Sequence, residues 1–170
     1  MSESAKPVFM VDAYSEHVLV RIDGRANYQN CSCLRDFLRE MIEQGRTAFA
    51  LDLLRCSGMD STFLGMLAGA ALELRKKVPE KGSLVLMRLG PRNLELVRNL
   101  GLHRLLTVDS GDFPMNFDRG ERALVCPNRT ELENARLVLE SHESLVAADE
   151  ANRAKFQDVL VFLKNRVESR

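Results

Sequence analysis

The stretch Met59-Asp60-Ser61-Thr62-Phe63-Leu64-Gly65 decides how this chain reads. A short, continuous apolar run at 48–54 precedes it and has the length of a buried strand. A second apolar segment follows and runs to Lys77 with helical spacing. Asp60, Ser61 and Thr62 therefore fall at a strand-to-helix turn, and all three residue types are good N-caps. A hydroxyl there also lies at the positive end of a helix dipole. A phosphoryl group on Ser61 would bring about two negative charges to that mouth. Helix capping alone is the simpler reading of these residues, so the rest of the chain has to decide between the two.

Working outward, 8–11 and 18–22 are short apolar runs separated by Asp12-Ala13-Tyr14-Ser15-Glu16-His17, a pattern for a hairpin or two adjacent strands. Asp23-Gly24-Arg25 has turn chemistry and is expected to end the second run. Leu34, Phe37, Leu38, Met41 and Ile42 recur at helical spacing, which predicts an amphipathic helix over 33–44 with Gly45 as its stop. A strand at 47–54 and a helix at 61–77 follow. Gly65, Ala68, Gly69, Ala70 and Ala71 permit close packing on that helix, and Lys76 and Lys77 suit its C-terminus. The segment 83–89 predicts a fourth strand, Pro91 opens a short helix that Gly101 stops, and 105–108 predicts a fifth strand. Strands alternating with helices from Ala48 onward give an α/β layer with parallel or mixed strands.

Residues 109–128 contain two glycines and two prolines and are expected to be an irregular connector. Thr130-Glu131-Leu132-Glu133 has capping-box spacing, so a helix should begin there. Leu132, Ala135, Leu139, Val146, Phe156, Leu160, Leu163 and Val167 keep a 3-4 alternation that His142, Asp149 and Arg153 interrupt. One unbroken helix over 130–167 would extend about 57 Å at 1.5 Å per residue, longer than the rest of the domain should be wide. Either it bends near 147–152 into a hairpin, or it projects and packs on another chain. The apolar positions after Phe156 favour a helical extension used for self-association. The expected organisation is a main domain at 1–108, a connector at 109–128 and a helical extension at 129–170.

Composition narrows the functions. Lys+Arg and Asp+Glu balance at 24 each, so no basic field argues for direct nucleic-acid binding. Cys31, Cys33, Cys56 and Cys126 form no C-x-x-C pair, which predicts free thiols in a reducing cytoplasm. The polar segment 1–6 is unlike a signal peptide, and the longest apolar run, 62–72, is shorter than the roughly 20 residues a bilayer needs. A cytoplasmic protein without membrane insertion is the expectation. Motifs for a nucleophile elbow, a phosphate loop or a zinc helix are absent from the sequence. His17, His103 and His142 are far apart and read as surface or partly packed residues rather than ligands. Asp23, Asp52 and Asp60 could chelate a cation, but carboxylates at strand ends commonly cap, so no metal is expected. Ser61 has no identifiable base or orienting acid as a hydrolase nucleophile, and Ser57-Gly58 reads as a turn. The chain is expected to be no enzyme, with no catalytic residue and no cofactor.

The order strand-strand-helix-strand-helix-strand-helix-strand, with Asp60-Ser61 opening the second helix, resembles the STAS domain. That family includes bacterial anti-sigma factor antagonists and cytoplasmic domains of sulfate transporters. The likeness covers roughly 8–108 and rests on Leu51-Asp52-Leu53 with Asp60-Ser61-Thr62-Phe63-Leu64-Gly65, on Ile22-Asp23-Gly24, and on Leu94 through Gly101-Leu102. It implies a mixed sheet of four to five strands with helices mainly on one side, here followed by the helical extension. Two departures are Phe63, where the family has Gly, and the extension itself in place of a short final helix. By this resemblance Ser61 is the phosphoacceptor, ahead of Thr62 and Ser57. Asp23, Gly24, Met59, Asp60, Ser61, Thr62, Phe63 and Leu64 would make the partner surface. The implied partners are an anti-sigma factor serine kinase, which unmodified protein binds and phosphorylation releases, and a PP2C-type phosphatase. A homodimer through the C-terminal helices is a further implied contact. The alternative is a constitutive STAS subunit or scaffold of a transporter or signalling complex, in which Ser61 only caps its helix.

Overall fold

The computed structural model describes residues 7–80, 82–109 and 121–169. Six strands form one mixed sheet: β1 (Phe9–Asp12), β2 (Val18–Ala26), β3 (Ala48–Met59), β4 (Ser83–Met87), β5 (Thr107–Asp109) and β6 (Arg122–Ala123). Their order across the sheet is β5-β4-β3-β2-β1-β6. The β1–β2 and β1–β6 pairs are antiparallel, and β2 through β5 run parallel. The helices are α1 (Ser32–Glu43), α2 (Ser61–Lys77), α3 (Pro91–Asn99), α4 (Glu131–Ala148) and α5 (Asn152–Glu168). The α/β class and the strand–helix order expected from the sequence are those observed.

Period-two alternation sorts the strands into two unequal faces. Val18, Val20 and Ile22 of β2, Phe49, Leu51 and Leu53 of β3, and Leu84 and Leu86 of β4 enter the main core with the inner faces of α1 and α2. Among the described residues the opposite face holds a small apolar cluster of Leu19, Ala50 and Met87. Helices mainly on one face are the arrangement the resemblance implied.

Four expectations need correction. Asp23-Gly24-Arg25 does not end β2; it lies within the strand, where the register against β3 shifts on either side and Gly24 takes φ 113°. A glycine in that conformation builds a bulge rather than a turn, and twists the strand onward. In the same way β3 does not stop at Leu54. It continues through Ser57-Gly58 to Met59, because the bulged end of β2 still pairs with it. The segment expected to be irregular, 109–128, supplies β6, whose backbone joins the free edge of β1. Finally, Cys33 and Cys126 are not free thiols: β6 brings the connector to the start of α1, and the two residues are disulfide-bonded with Cα atoms 5.0 Å apart. Cys31 and Cys56 are free and buried.

The two readings left open for the C-terminus resolve into a hairpin. Thr130 caps α4 with the full capping box to Glu133, as its spacing predicted. The chain then reverses at Asp149–Ala151, and α5 returns along α4. The hairpin packs on the helical layer instead of projecting. Leu137 and Leu145 join the main core, while Glu140 reaches Arg35 at 3.2 Å and Arg39 at 2.6 Å on α1. Asn152, fully buried, donates from Nδ2 to the carbonyls of Leu100 at 2.9 Å and Leu145 at 2.8 Å. The result is three layers: sheet, α1–α3, then α4–α5.

Candidate functional site

Asp60 organises the mouth of α2. Its backbone is extended, as an N-cap requires, and Oδ1 accepts from Phe63 N at 2.8 Å. Oδ2 accepts from Tyr28 N at 2.9 Å, and Asp60 N donates to Ala26 O at 3.2 Å. Asp60 thus ties the helix to the end of β2 through its backbone N–H and to the loop before α1 through its carboxylate. Ser61 is the first helical residue and is partly exposed.

The Ser61 hydroxyl is not free. Its Oγ lies 2.9 Å from Nε2 of His142 on α4. Nδ1 of the same ring is 2.7 Å from the Val138 carbonyl. A carbonyl only accepts, so Nδ1 carries hydrogen; in the neutral ring Nε2 is then an acceptor and Ser61 donates to it. His142 is 3% exposed, and Phe156 of α5 meets its ring edge-on with centroids 4.8 Å apart. Beside Ser61 is a cavity of about 410 Å³ lined by Met59, Leu64, Leu96, Lys155 and Phe156. Lys155 donates from Nζ to the Asn99 carbonyl at its rim.

The remaining expected site residues divide. Met59, Asp60, Ser61 and the bulge at Asp23-Gly24 are partly exposed at the end of β2 and β3 and the start of α2. Asp23 faces Arg55 at 3.7 Å. Thr62, Phe63 and Leu64 are buried, at 4%, 0% and 1% exposure. Phe63 stacks on Phe9 of β1 with ring centroids 6.4 Å apart, so it fills the core. Ser57 is exposed on β3 but outside the helix mouth. The three carboxylates weighed for a cation are spent elsewhere: Asp52 is buried and paired with Arg88, whose Nε lies 3.1 Å from Oδ1, while Asp60 caps α2 and Asp23 meets Arg55. Among the described residues no group of three or more His, Cys, Asp or Glu is placed to hold a metal ion. His142, read from sequence as a surface or partly packed residue, is instead buried and bonded to Ser61. Its signal was its position: it occupies an inner step of the 3-4 alternation, where a polar residue must find a buried partner.

Burial governs the thiols near the site. It pushes Cys31 up to about 12, with the Asp60 carboxylate adding to the effect, and raises Cys56 as well. Neither supplies a thiolate near neutral pH.

The chain belongs to the STAS family: the family model described as Mlab, STAS domain matches residues 9–107. Solved structures agree on the fold. The anti-sigma factor antagonist SpoIIAA in its unphosphorylated form is 22% identical, with a TM-score of 0.51, and the match covers 61% of this chain and 88% of that one. The Bacillus cell fate determinant SpoIIAA in its phosphorylated form is 23% identical, with a TM-score of 0.50 over 60% of this chain and 91% of that one. A Thermotoga maritima protein assigned as an anti-sigma factor antagonist is 16% identical, with a TM-score of 0.54 over 60% and 86%. No curated protein sequence matches the chain significantly. No helix among the described residues is long and apolar enough to cross a membrane. The family match stops before β6 and the α4–α5 hairpin.

Proposed function

We propose that this STAS protein is a phosphorylation-regulated anti-sigma factor antagonist, an interaction protein without catalysis of its own. Its unmodified form binds a serine-kinase anti-sigma factor; phosphorylation of Ser61 ends the complex, and a PP2C-type phosphatase restores it. One observation carries the reading: of Ser57, Ser61 and Thr62, only Ser61 combines partial exposure with the first position of α2. Charge added there meets the Asp60 carboxylate on the partner-facing side, so repulsion and desolvation both oppose docking. The docking surface is narrower than the sequence suggested and consists of Asp23, Gly24, Met59, Asp60 and Ser61. In this reading residues 1–108 are the switch domain, 109–128 the connector and 129–170 an added layer. Val161 and Phe162, exposed on α5, offer the surface for self-association.

A second reading, a constitutive subunit or scaffold, is favoured by the bond between Ser61 and His142, which gives the hydroxyl a structural duty. Affinity purification of tagged Ser61→Ala and Ser61→Asp proteins from the native host separates the two. The switch predicts a serine kinase recovered with Ser61→Ala and lost with Ser61→Asp. Equal recovery of the same partners by both variants favours the constitutive subunit.

A further inference from the structure

Ser61, Gly65 and Gly69 are spaced four apart and form one stripe along α2. That stripe is where α4 lies. A Cβ added to Gly65 would sit 2.1 Å from the Ser141 carbonyl oxygen, and one added to Gly69 would sit 2.9 Å from Ser144 Oγ. The two helices therefore approach as closely as missing side chains allow. At the N-terminal end of the stripe the same α4 places His142 Nε2 on Ser61 Oγ. Glycine inside a helix costs about 0.5–1 kcal/mol relative to alanine, so the stripe stabilises docking at the expense of α2 itself.

We propose that the α4–α5 hairpin is an intramolecular occupant of the Ser61 surface, and that hairpin docking and modification of Ser61 exclude each other. The inference rests on Ser61 being the phosphoacceptor. A contact of 2.9 Å leaves no room for a phosphorus and its oxygens between Ser61 and the imidazole. The bond in which Ser61 donates to Nε2 also depends on a hydroxyl hydrogen, which the phosphate ester lacks. At Gly65 the two helices already meet at backbone contact, so α4 has no nearer position on α2 to take up. A kinase reaches Ser61 only after the hairpin lifts, and a phosphoryl group on Ser61 then keeps it lifted. His142 is the latch.

Amide hydrogen exchange on the full-length chain tests this without any kinase. Gly65→Ala removes the seat of α4 while leaving Ser61 and His142 in place, and it favours the helix that carries it. Ser61→Glu supplies bulk and charge, and Ser61→Gln supplies similar bulk alone. Exchange across α4 and α5 is expected to rise about tenfold or more in Gly65→Ala and in Ser61→Glu, as loss of a buried hydrogen-bonded contact implies. Protection in β3 and α1 should stay at the wild-type level, which shows that the sheet layer is intact. A rise in Ser61→Gln as well supports exclusion by size. Wild-type exchange over α4 in Gly65→Ala overturns the seat. Unchanged or slower exchange in Ser61→Glu, as when the acid settles against Lys155, overturns mutual exclusion. Failure here leaves the purification result of the preceding section standing, and the reverse also holds.

Discussion

The two sides of α2 are held by different physics. Toward the sheet, Phe63 stacks on Phe9 and joins Leu67 and Leu74 in a continuous apolar core. Toward α4, the stripe of Ser61, Gly65 and Gly69 offers little apolar area and relies on shape and on a hydrogen bond. Elsewhere the hairpin adds Leu137 and Leu145 to the core, and specific polar contacts fix its position: Asn152 to Leu100 and Leu145, Lys155 to Asn99, and Glu140 to Arg35 and Arg39. Apolar burial is non-directional and dominates stability, whereas contacts of the second kind are modest in net energy and sensitive to one atom. One helix therefore carries a permanent face and a releasable one.

Substitutions that respect this contrast should differ in size and in reach. Phe63→Ala empties a fully buried core position and is expected to cost about 3–5 kcal/mol, read as a lower denaturant midpoint for the whole domain. If it loosened only the hairpin, the contrast would fail. Asn152→Ala removes a buried donor shared by the Leu100 and Leu145 carbonyls, of which Leu145 keeps the Asp149 N–H, at a cost of about 1–3 kcal/mol. Faster exchange should appear in α4 and α5 while β3 remains protected; loss of protection in both would break the distinction.

A pH effect marks the permanent side. Cys31 holds its proton up to about 12 when folded but gives it up near 9 when unfolded. The unfolded chain thus binds fewer protons across that window, so stability is full below pH 9 and falls as pH rises. The slope is at most about 1.4 kcal/mol per pH unit, and Cys31→Ala should flatten it in alkaline melts. The smallest effect belongs to Glu140→Gln, which removes two exposed ion pairs. It should cost no more than about 1 kcal/mol, and that loss should shrink in high salt.

What the sequence revealed follows the same line. Helix α2 was legible to the residue at both ends, because Asp60 caps it and its apolar run is long. The alternation of strands and helices, the capping box at Thr130 and the stop at Gly101 were legible for similar local reasons. The misses came from partners far along the chain. Gly24 looks like a turn until β3 is seen pairing past it, and β6 is only two residues long with both exposed. Phe63 departs from the family pattern, and its stacking partner Phe9 lies far back along the chain on β1. His142 lies 81 residues from Ser61, and no spacing rule links them. The mouth of α2 was therefore readable in advance, and the layer that covers it was not.

The central claim is that Ser61 is a regulated phosphoacceptor, and site-mapping mass spectrometry of the natively expressed protein tests it most directly. The account predicts a phosphoryl group on Ser61 in a fraction of molecules that changes with growth condition, and none on Thr62. Ser61 unmodified under every condition, with partners that Ser61→Asp still retains, would contradict it.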